Sequence, residues 1–224
     1  MFSRICLFLA ASVLVQLPTA YADELSPDFD WGGFYAGVKA NALILEDDYI
    51  DPVADLDGFI TDYKIAPTVV VGYLWQRNQF VYGAEFGVSW VGSDKTEQDV
   101  SDPYLYGTMK VNSSAHILGR VGVTSDRTLL YLQGGATLTS FDFDYPYDTG
   151  LPQGDGFSET LIGATLGLGV EHALNENWRI SADFTHTTYP VATSTIINCC
   201  ASPPNSQDHQ VTTSSFNLGL AYQF

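Results

Sequence analysis

Positive charge is scarce in this sequence: nine Lys and Arg stand against 26 Asp and Glu, for a formal net charge of −17 at pH 7. Nucleic-acid binding needs clustered Lys and Arg to meet phosphates, and no such cluster exists, so that class of partner is excluded. Cysteine is scarce as well. Of the three, Cys6 lies near the N-terminus and Cys199 and Cys200 are adjacent, which is no disulfide framework. Long apolar runs are the third shortage. No segment after the N-terminal one offers 18 consecutive apolar residues, so a membrane-spanning helix is excluded on length. Charged residues make up 16% of the chain, below the roughly 25% of a typical soluble domain.

The first residues, MFSRICLFLAASVLVQLPTAYA, place Arg4 ahead of an apolar stretch from Ile5 to Val15 and end on Ala20-Tyr21-Ala22. A basic start, a short apolar run and a small-x-small site predict a signal peptide over 1–22, cleaved after Ala22. The run is about half of the roughly 20 residues a spanning helix needs. Residues 23–30 read as a short acidic periplasmic stretch, and 31–224 as one domain without internal repeat or linker. An exported chain with no apolar helix can cross a bilayer only as a closed β-barrel, which pairs every backbone group between strands and leaves no edge in lipid.

A period of two in hydrophobicity predicts strands at about 33–45, 63–75, 80–92, 110–124, 128–141, 159–174, 178–189 and 211–224. The connections alternate in length. Gln76 to Gln79, Ser125 to Arg127 and Asn175 to Asn177 are tight polar turns, whereas 46–62, 93–109, 142–158 and 190–210 are long. Short turns on one side and long loops on the other form the pattern of an outer-membrane barrel, and seven joints make eight strands. The predicted fold is therefore all-β, an eight-stranded antiparallel transmembrane up-and-down barrel in the outer membrane of a Gram-negative cell, with both chain ends on the short-turn side.

One parity of each strand is bulky and apolar, as in Tyr82, Phe86, Val88 and Trp90, or in Phe216, Leu218, Leu220, Tyr222 and Phe224. The other is small or polar, with Gly83, Gly87, Gly122, Gly135, Gly167 and Gly169 among its members. A soluble β-sandwich would turn the polar parity to water and bury the apolar one. Water-facing strand positions usually carry many charges and few glycines. A glycine-rich face with few, opposite charges instead suits the crowded inside of a narrow tube. Trp31, Phe34, Tyr73, Trp75, Tyr82, Trp90, Trp178, Tyr189, Tyr222 and Phe224 lie near strand ends and are expected to form the two interfacial girdles.

Several segments, in order along the chain, resemble the small outer-membrane β-barrel domain family common in alphaproteobacteria, the porin-like or opacity-type surface proteins. They are WGGFYAG (Trp31 to Gly37), GYLWQ (Gly72 to Gln76), GRVGV (Gly119 to Val123), YLQGGA (Tyr131 to Ala136), GLGVEHALNENWRISADF (Gly167 to Phe184) and GLAYQF (Gly219 to Phe224). The resemblance covers nearly every strand and none of the long loops. It implies that terminal Phe224, with Tyr222 and Phe216 on the same face, is read by the barrel-assembly machinery. Leu118, Asn217 and Gln223 stand where the family often has a basic residue.

Lys39, Glu85, Arg120, Glu171, Arg179 and Asp183 are expected to point inward. They could line an ion-conducting lumen or fill it as a salt-bridge plug. Eight strands leave an interior just wide enough for side chains to fill, and a buried charge costs several kcal/mol unless paired, which favours the plug. Glu85 with Arg120 is the pair expected first. Most of the 26 acidic residues lie in the long loops, for example Glu46, Asp47, Asp48, Asp51, Asp55 and Asp57. Such loops could hold divalent cations and bridge to anionic lipopolysaccharide, or simply form a solvated, self-repelling surface; their spacing is not that of a calcium loop.

Catalysis finds little footing. His186-Thr187-Thr188 has the spacing of a His-x-Ser pair with threonine in place of serine, with Glu159 or Asp183 as possible orienting acids. His186 reads better as a girdle residue. Cys199 and Cys200 could form a vicinal disulfide, link two chains, or bind a metal with His209; a loop clasp is expected, and no metal or cofactor. The function these readings support is a non-catalytic surface barrel, monomeric, surrounded by outer-membrane lipid and lipopolysaccharide. A small diffusion channel and a lipid-modifying enzyme are the alternatives.

Overall fold

The computed structural model describes residues 29–51, 56–98, 106–145, 154–196 and 205–224, nearly all of them in strands. The signal peptide read at 1–22, most of the 23–30 stretch, and Cys199 and Cys200 lie outside the described residues. In chain order the strands are β1 (Gly33–Asp51), β2 (Leu56–Arg77), β3 (Phe80–Gln98), β4 (Tyr106–Ser125), β5 (Thr128–Tyr145), β6 (Gly154–Ala173), β7 (Trp178–Thr188), β8 (Ala192–Ile196) and β9 (Asn205–Gln223). Antiparallel pairs run from β1 through β7 to β9, and β9 returns to β1. That closes the eight-stranded barrel expected from the period-two pattern.

Short β8 takes no place of its own in the wall. It continues β7 beyond Pro190 and pairs with the outer part of β9 from Ala192↔His209 to Ile196↔Asn205. Pro190 lacks the amide hydrogen that would carry the ladder through.

At one end β2 turns into β3 through Asn78 and Gln79, and β4 into β5 through Asp126 and Arg127. Asn78 and Asp126 hold positive φ of 56° and 51°, a conformation that Asn and Asp tolerate better than other side chains. The third turn is shaped by Asn175, whose Oδ1 accepts the amides of Asn177 and Trp178 at 3.0 and 2.8 Å.

At the other end the strands run further than hydrophobicity suggests. β1 continues to Asp51 and β2 begins at Leu56, so most of the segment read as the first long loop is hairpin. Alternation persists there with polar residues on both parities, which a hydrophobic period cannot register: Glu46 and Asp48 are exposed and Asp47 between them is buried. Asp47 and Asp62 thus leave the solvated acidic surface to which the sequence reading assigned that segment.

Two ladders stop early on this side. Pairing of β2 with β3 ends at Thr68↔Ser89, next to Pro67, and pairing of β6 with β7 ends at Ala164↔Thr188, two residues before Pro190. Beyond those points the described wall divides into two four-stranded sheets, β8-β9-β1-β2 and β3-β4-β5-β6.

The outward face of the closed part is apolar, with Phe86, Leu132, Leu166 and Leu218 all exposed. Inside, two apolar clusters lie at different heights, one near the turns and one at the wider end, with polar residues between them.

Candidate functional site

The six inward charges join into one chain of alternating sign. Asp183 meets Lys39 at 3.2 Å, Lys39 meets Glu85 at 2.8 Å, Glu85 meets Arg120 at 3.3 Å, Arg120 meets Glu171 at 3.0 Å, and Glu171 meets Arg179 at 3.7 Å. Five strands contribute, so the chain ties opposite walls of the barrel together. All six residues are buried. Three cations and three anions in sequence neutralise one another, one condition under which buried ions are tolerated; the other, hydrogen bonds to the remaining polar atoms, is unmet at Arg120 Nη2, Arg179 Nη2 and Glu171 Oε2. Hydrogen bonds complete the anionic end: Asp183 accepts from Gln133 Nε2 at 3.0 Å, Asn217 Nδ2 at 2.8 Å and Tyr131 Oη at 3.3 Å.

Two tyrosines frame the arginines. Arg179 lies 4.0 Å from the centroid of the Tyr35 ring and Arg120 lies 4.1 Å from that of Tyr131. Tyr35 Oη also donates to Glu85 at 2.9 Å and accepts from Arg120 at 3.0 Å. Desolvated cation–π contacts of this kind contribute about 2 kcal/mol each. Each ring rests on a glycine directly across the ladder, Tyr35 on Gly72 and Tyr131 on Gly169. A Cβ at Gly169 would lie 2.5 Å from the Tyr131 ring, and one at Gly72 would overlap the Tyr35 ring. These two glycines are therefore required by the stack above them.

Trp31 closes the turn end. Sequence reading put it in the girdle, but it is 0% exposed and points into the lumen, where it packs edge-on against Phe29 and donates Nε1–H to Thr124 Oγ1 at 2.9 Å. The reason is parity: the count by twos that turns Lys39 inward also turns Tyr35 and Trp31 inward. Arg179 lies 5.7 Å from the Trp31 ring. Gln223, itself buried, accepts from Arg179 at 3.3 Å and donates to the carbonyls of Asp30 and Gly32 at 2.8 and 2.9 Å, so the residues just before β1 and the end of β9 are both tied to the ion chain.

Above the ion chain is a cavity of about 70 Å³, lined by Thr and Ser side chains together with His116 and with Lys39, Glu85 and Asp183 of that chain. An apolar ring then narrows the wide end. Leu45, Ala66, Val91, Val111, Phe141, Leu161 and Val211 come from every strand of the barrel except β7, and Tyr189 just past the end of β7 and Ala192 of β8 complete it. Tyr189, expected in the girdle, lies here instead, turned inward against Phe141 and hydrogen-bonded to Thr139 at 2.7 Å.

Phe34, Tyr82, Trp90, Trp178 and Phe224 point outward and are exposed, and Tyr222 is half-buried between Trp178 and Phe224. His186 is on the same outward face, with Ser214 Oγ at 3.0 Å from Nδ1 and Thr188 Oγ1 at 3.4 Å from Nε2. Asp183 lies on the opposite side of the wall, inside the ion chain, and so cannot orient His186. His209 is buried with its Nδ1 at 2.8 Å from Asp47 Oδ2, and among the described residues no group of three or more His, Cys, Asp or Glu is placed to hold a metal.

Tyr35 and Tyr131 are the functional positions that sequence reasoning missed. Parity was the available signal, since each lies an even number of residues from an inward charge on its own strand or from an inward glycine.

The sequence matches the family model described as the outer membrane protein beta-barrel domain over residues 7–224. A 22 kDa outer membrane protein of Rhizobium leguminosarum bv. viciae is 26% identical over 195 residues, covering 87% of this chain and 74% of that one. A 31 kDa outer-membrane immunogenic protein of Brucella melitensis is 27% identical over 195 residues, covering 80% of each. Among solved structures, the outer membrane protein OprG from Pseudomonas aeruginosa superposes with a TM-score of 0.63 at 14% identity, covering 88% of this chain and 99% of that one.

Proposed function

The chain belongs to the outer membrane protein β-barrel domain family and resides in the Gram-negative cell outer membrane, and from that premise we propose that it is a sealed, non-catalytic surface barrel. In this reading the barrel is a rigid anchor that holds acidic outer hairpins toward the exterior and contributes to envelope integrity. It works as a monomer surrounded by lipid and lipopolysaccharide, after insertion by the barrel-assembly machinery.

The observation that carries the reading is the alternating ion chain. An open pore needs water along its axis, whereas here every charge is buried against a partner and the arginines lie against tyrosine rings. Opening a path would separate buried ion pairs, and each uncompensated charge costs about 3–5 kcal/mol. The relatives named immunogenic proteins fit a surface-displayed role. Against a lipid-modifying enzyme stands the lack of an orienting carboxylate beside His186, since an exposed imidazole between two hydroxyls has nothing to hold its tautomer.

Planar-bilayer recording on refolded protein tests the proposal. Sealed protein gives no steady single-channel current, and Arg120→Ala introduces one by removing the middle cation. Steady conductance in the unaltered protein would replace the sealed barrel with the small diffusion channel.

A further inference from the structure

We propose that the cavity under the apolar ring is a dead-end binding site, reached from the exterior through the seam between β2 and β3, for a small uncharged molecule that donates hydrogen bonds. It rests on the sealed-barrel reading only for its closed inner end.

Size is the first argument. A water needs about 10–15 Å³ of such space, so about 70 Å³ takes roughly five to seven water-sized positions, or one molecule of about six non-hydrogen atoms. Chemistry is the second. Lys39, Glu85 and Asp183 of the ion chain line the cavity with their charges already paired within that chain, so an ionic ligand finds no unpaired counter-charge and its desolvation would go uncompensated. Two amide oxygens that line the cavity, Asn41 Oδ1 and Gln133 Oε1, are buried and accept no hydrogen bond from the protein. A buried acceptor without a donor costs about 1–3 kcal/mol, which a ligand hydroxyl would offset.

Access is the third. Next to Pro67 the β2–β3 ladder ends, and beyond it the two strand edges belong to different sheets. A side-chain hydrogen bond from Ser93 to Asp62 spans the seam, and both residues are buried. The ring above the cavity is held by apolar contact, which is non-directional and lets two sheets part and rejoin, while Asp62 keeps Lys64 Nζ of its own strand at 3.8 Å when the Ser93 bond opens. No comparable parting is open to the lower wall, where all eight ladders are continuous.

Thiol labelling tests this. A reporter Thr137→Cys on the cavity wall is placed in full-length protein with Cys6→Ser, Cys199→Ser and Cys200→Ser, and Glu176→Cys in the same background serves as an exposed reference. Every variant is first checked for the heat-dependent gel migration of a folded barrel. Iodoacetamide is expected to reach the reporter, and iodoacetate, of the same size but anionic, to react about tenfold more slowly relative to the reference. Ser93→Ala is expected to raise the iodoacetamide rate several-fold at the reporter and not at the reference. Glycerol, with six non-hydrogen atoms, should slow labelling at the reporter, and the larger sorbitol should not. A reporter inert to iodoacetamide in both backgrounds, equal rates for the two reagents, indifference to Ser93→Ala, or no protection by glycerol would each overturn the proposal. Bilayer current would refute the sealed lumen and leave these ratios to be judged alone, so the two failures are distinguishable.

Discussion

In the sealed-barrel reading the lumen is closed twice, by opposite chemistry. Near the turns the closure is ionic and aromatic, an alternating chain stacked on Tyr35, Tyr131 and Trp31. At the wide end it is an aliphatic and aromatic ring with no charge in it. The two also differ in the wall around them. The ionic closure sits where all eight ladders are continuous, and the apolar ring sits where the wall has split into two sheets. Buried ion pairs depend on fixed distances and oriented hydrogen bonds, which only a rigid wall supplies. Apolar packing tolerates small displacements, so it suits a wall with seams. The pairing of rigid wall with charge, and divided wall with hydrocarbon, follows from what each interaction can withstand.

The sharpest way to break that contrast is to cut each closure and compare. Arg120→Ala removes the cation between Glu85 and Glu171, leaving Glu85 to Lys39 and Glu171 to the longer Arg179 contact at 3.7 Å, and should cost about 3–5 kcal/mol, read from urea unfolding in vesicles by tryptophan emission. A loss under 1 kcal/mol would mean that the lower lumen is hydrated rather than filled. Leu45→Ala in the upper ring should cost less, about 2–3 kcal/mol by the same assay, and should leave bilayer current at zero because the lower closure is untouched. Current in that variant would move the true barrier to the ring. Tyr189→Phe removes the hydroxyl that meets Thr139 and keeps the ring packed against Phe141. A change of about 1 kcal/mol is expected, and a larger one would show that the upper closure also depends on polar contacts.

Much of this architecture is legible in the amino-acid sequence, and the failures have identifiable causes. Alternation of bulky and small residues reveals the eight strands, and the opposite charges on the glycine-rich parity reveal the residues that meet as the ion chain. Aromatic residues at strand ends usually meet the interface, whereas at Trp31 and Tyr189 parity decides, and both depart from the girdle expectation. The outer extensions were read as loops because their two faces are alike in polarity, as at Glu46, Asp47 and Asp48, which leaves no hydrophobic period to detect. Pro67 and Pro190 were visible throughout. Their meaning as the places where ladders end depends on which strands pair at that height, and that is set by the register of the whole barrel. The contact of Tyr35 with Gly72 and of Tyr131 with Gly169 likewise needs the register before it can be seen.

Trp31 offers the most direct test of a filled lumen. With Trp75, Trp90 and Trp178 replaced by Phe, its emission in vesicles reports on the lumen near the turns alone. Buried under Arg179 and beside Phe29, it should resist both aqueous iodide and lipids with brominated chains, while a companion protein keeping only Trp90 should be quenched by the brominated lipids. Quenching of Trp31 by iodide to the extent seen for free tryptophan would mean that water and ions occupy the barrel axis.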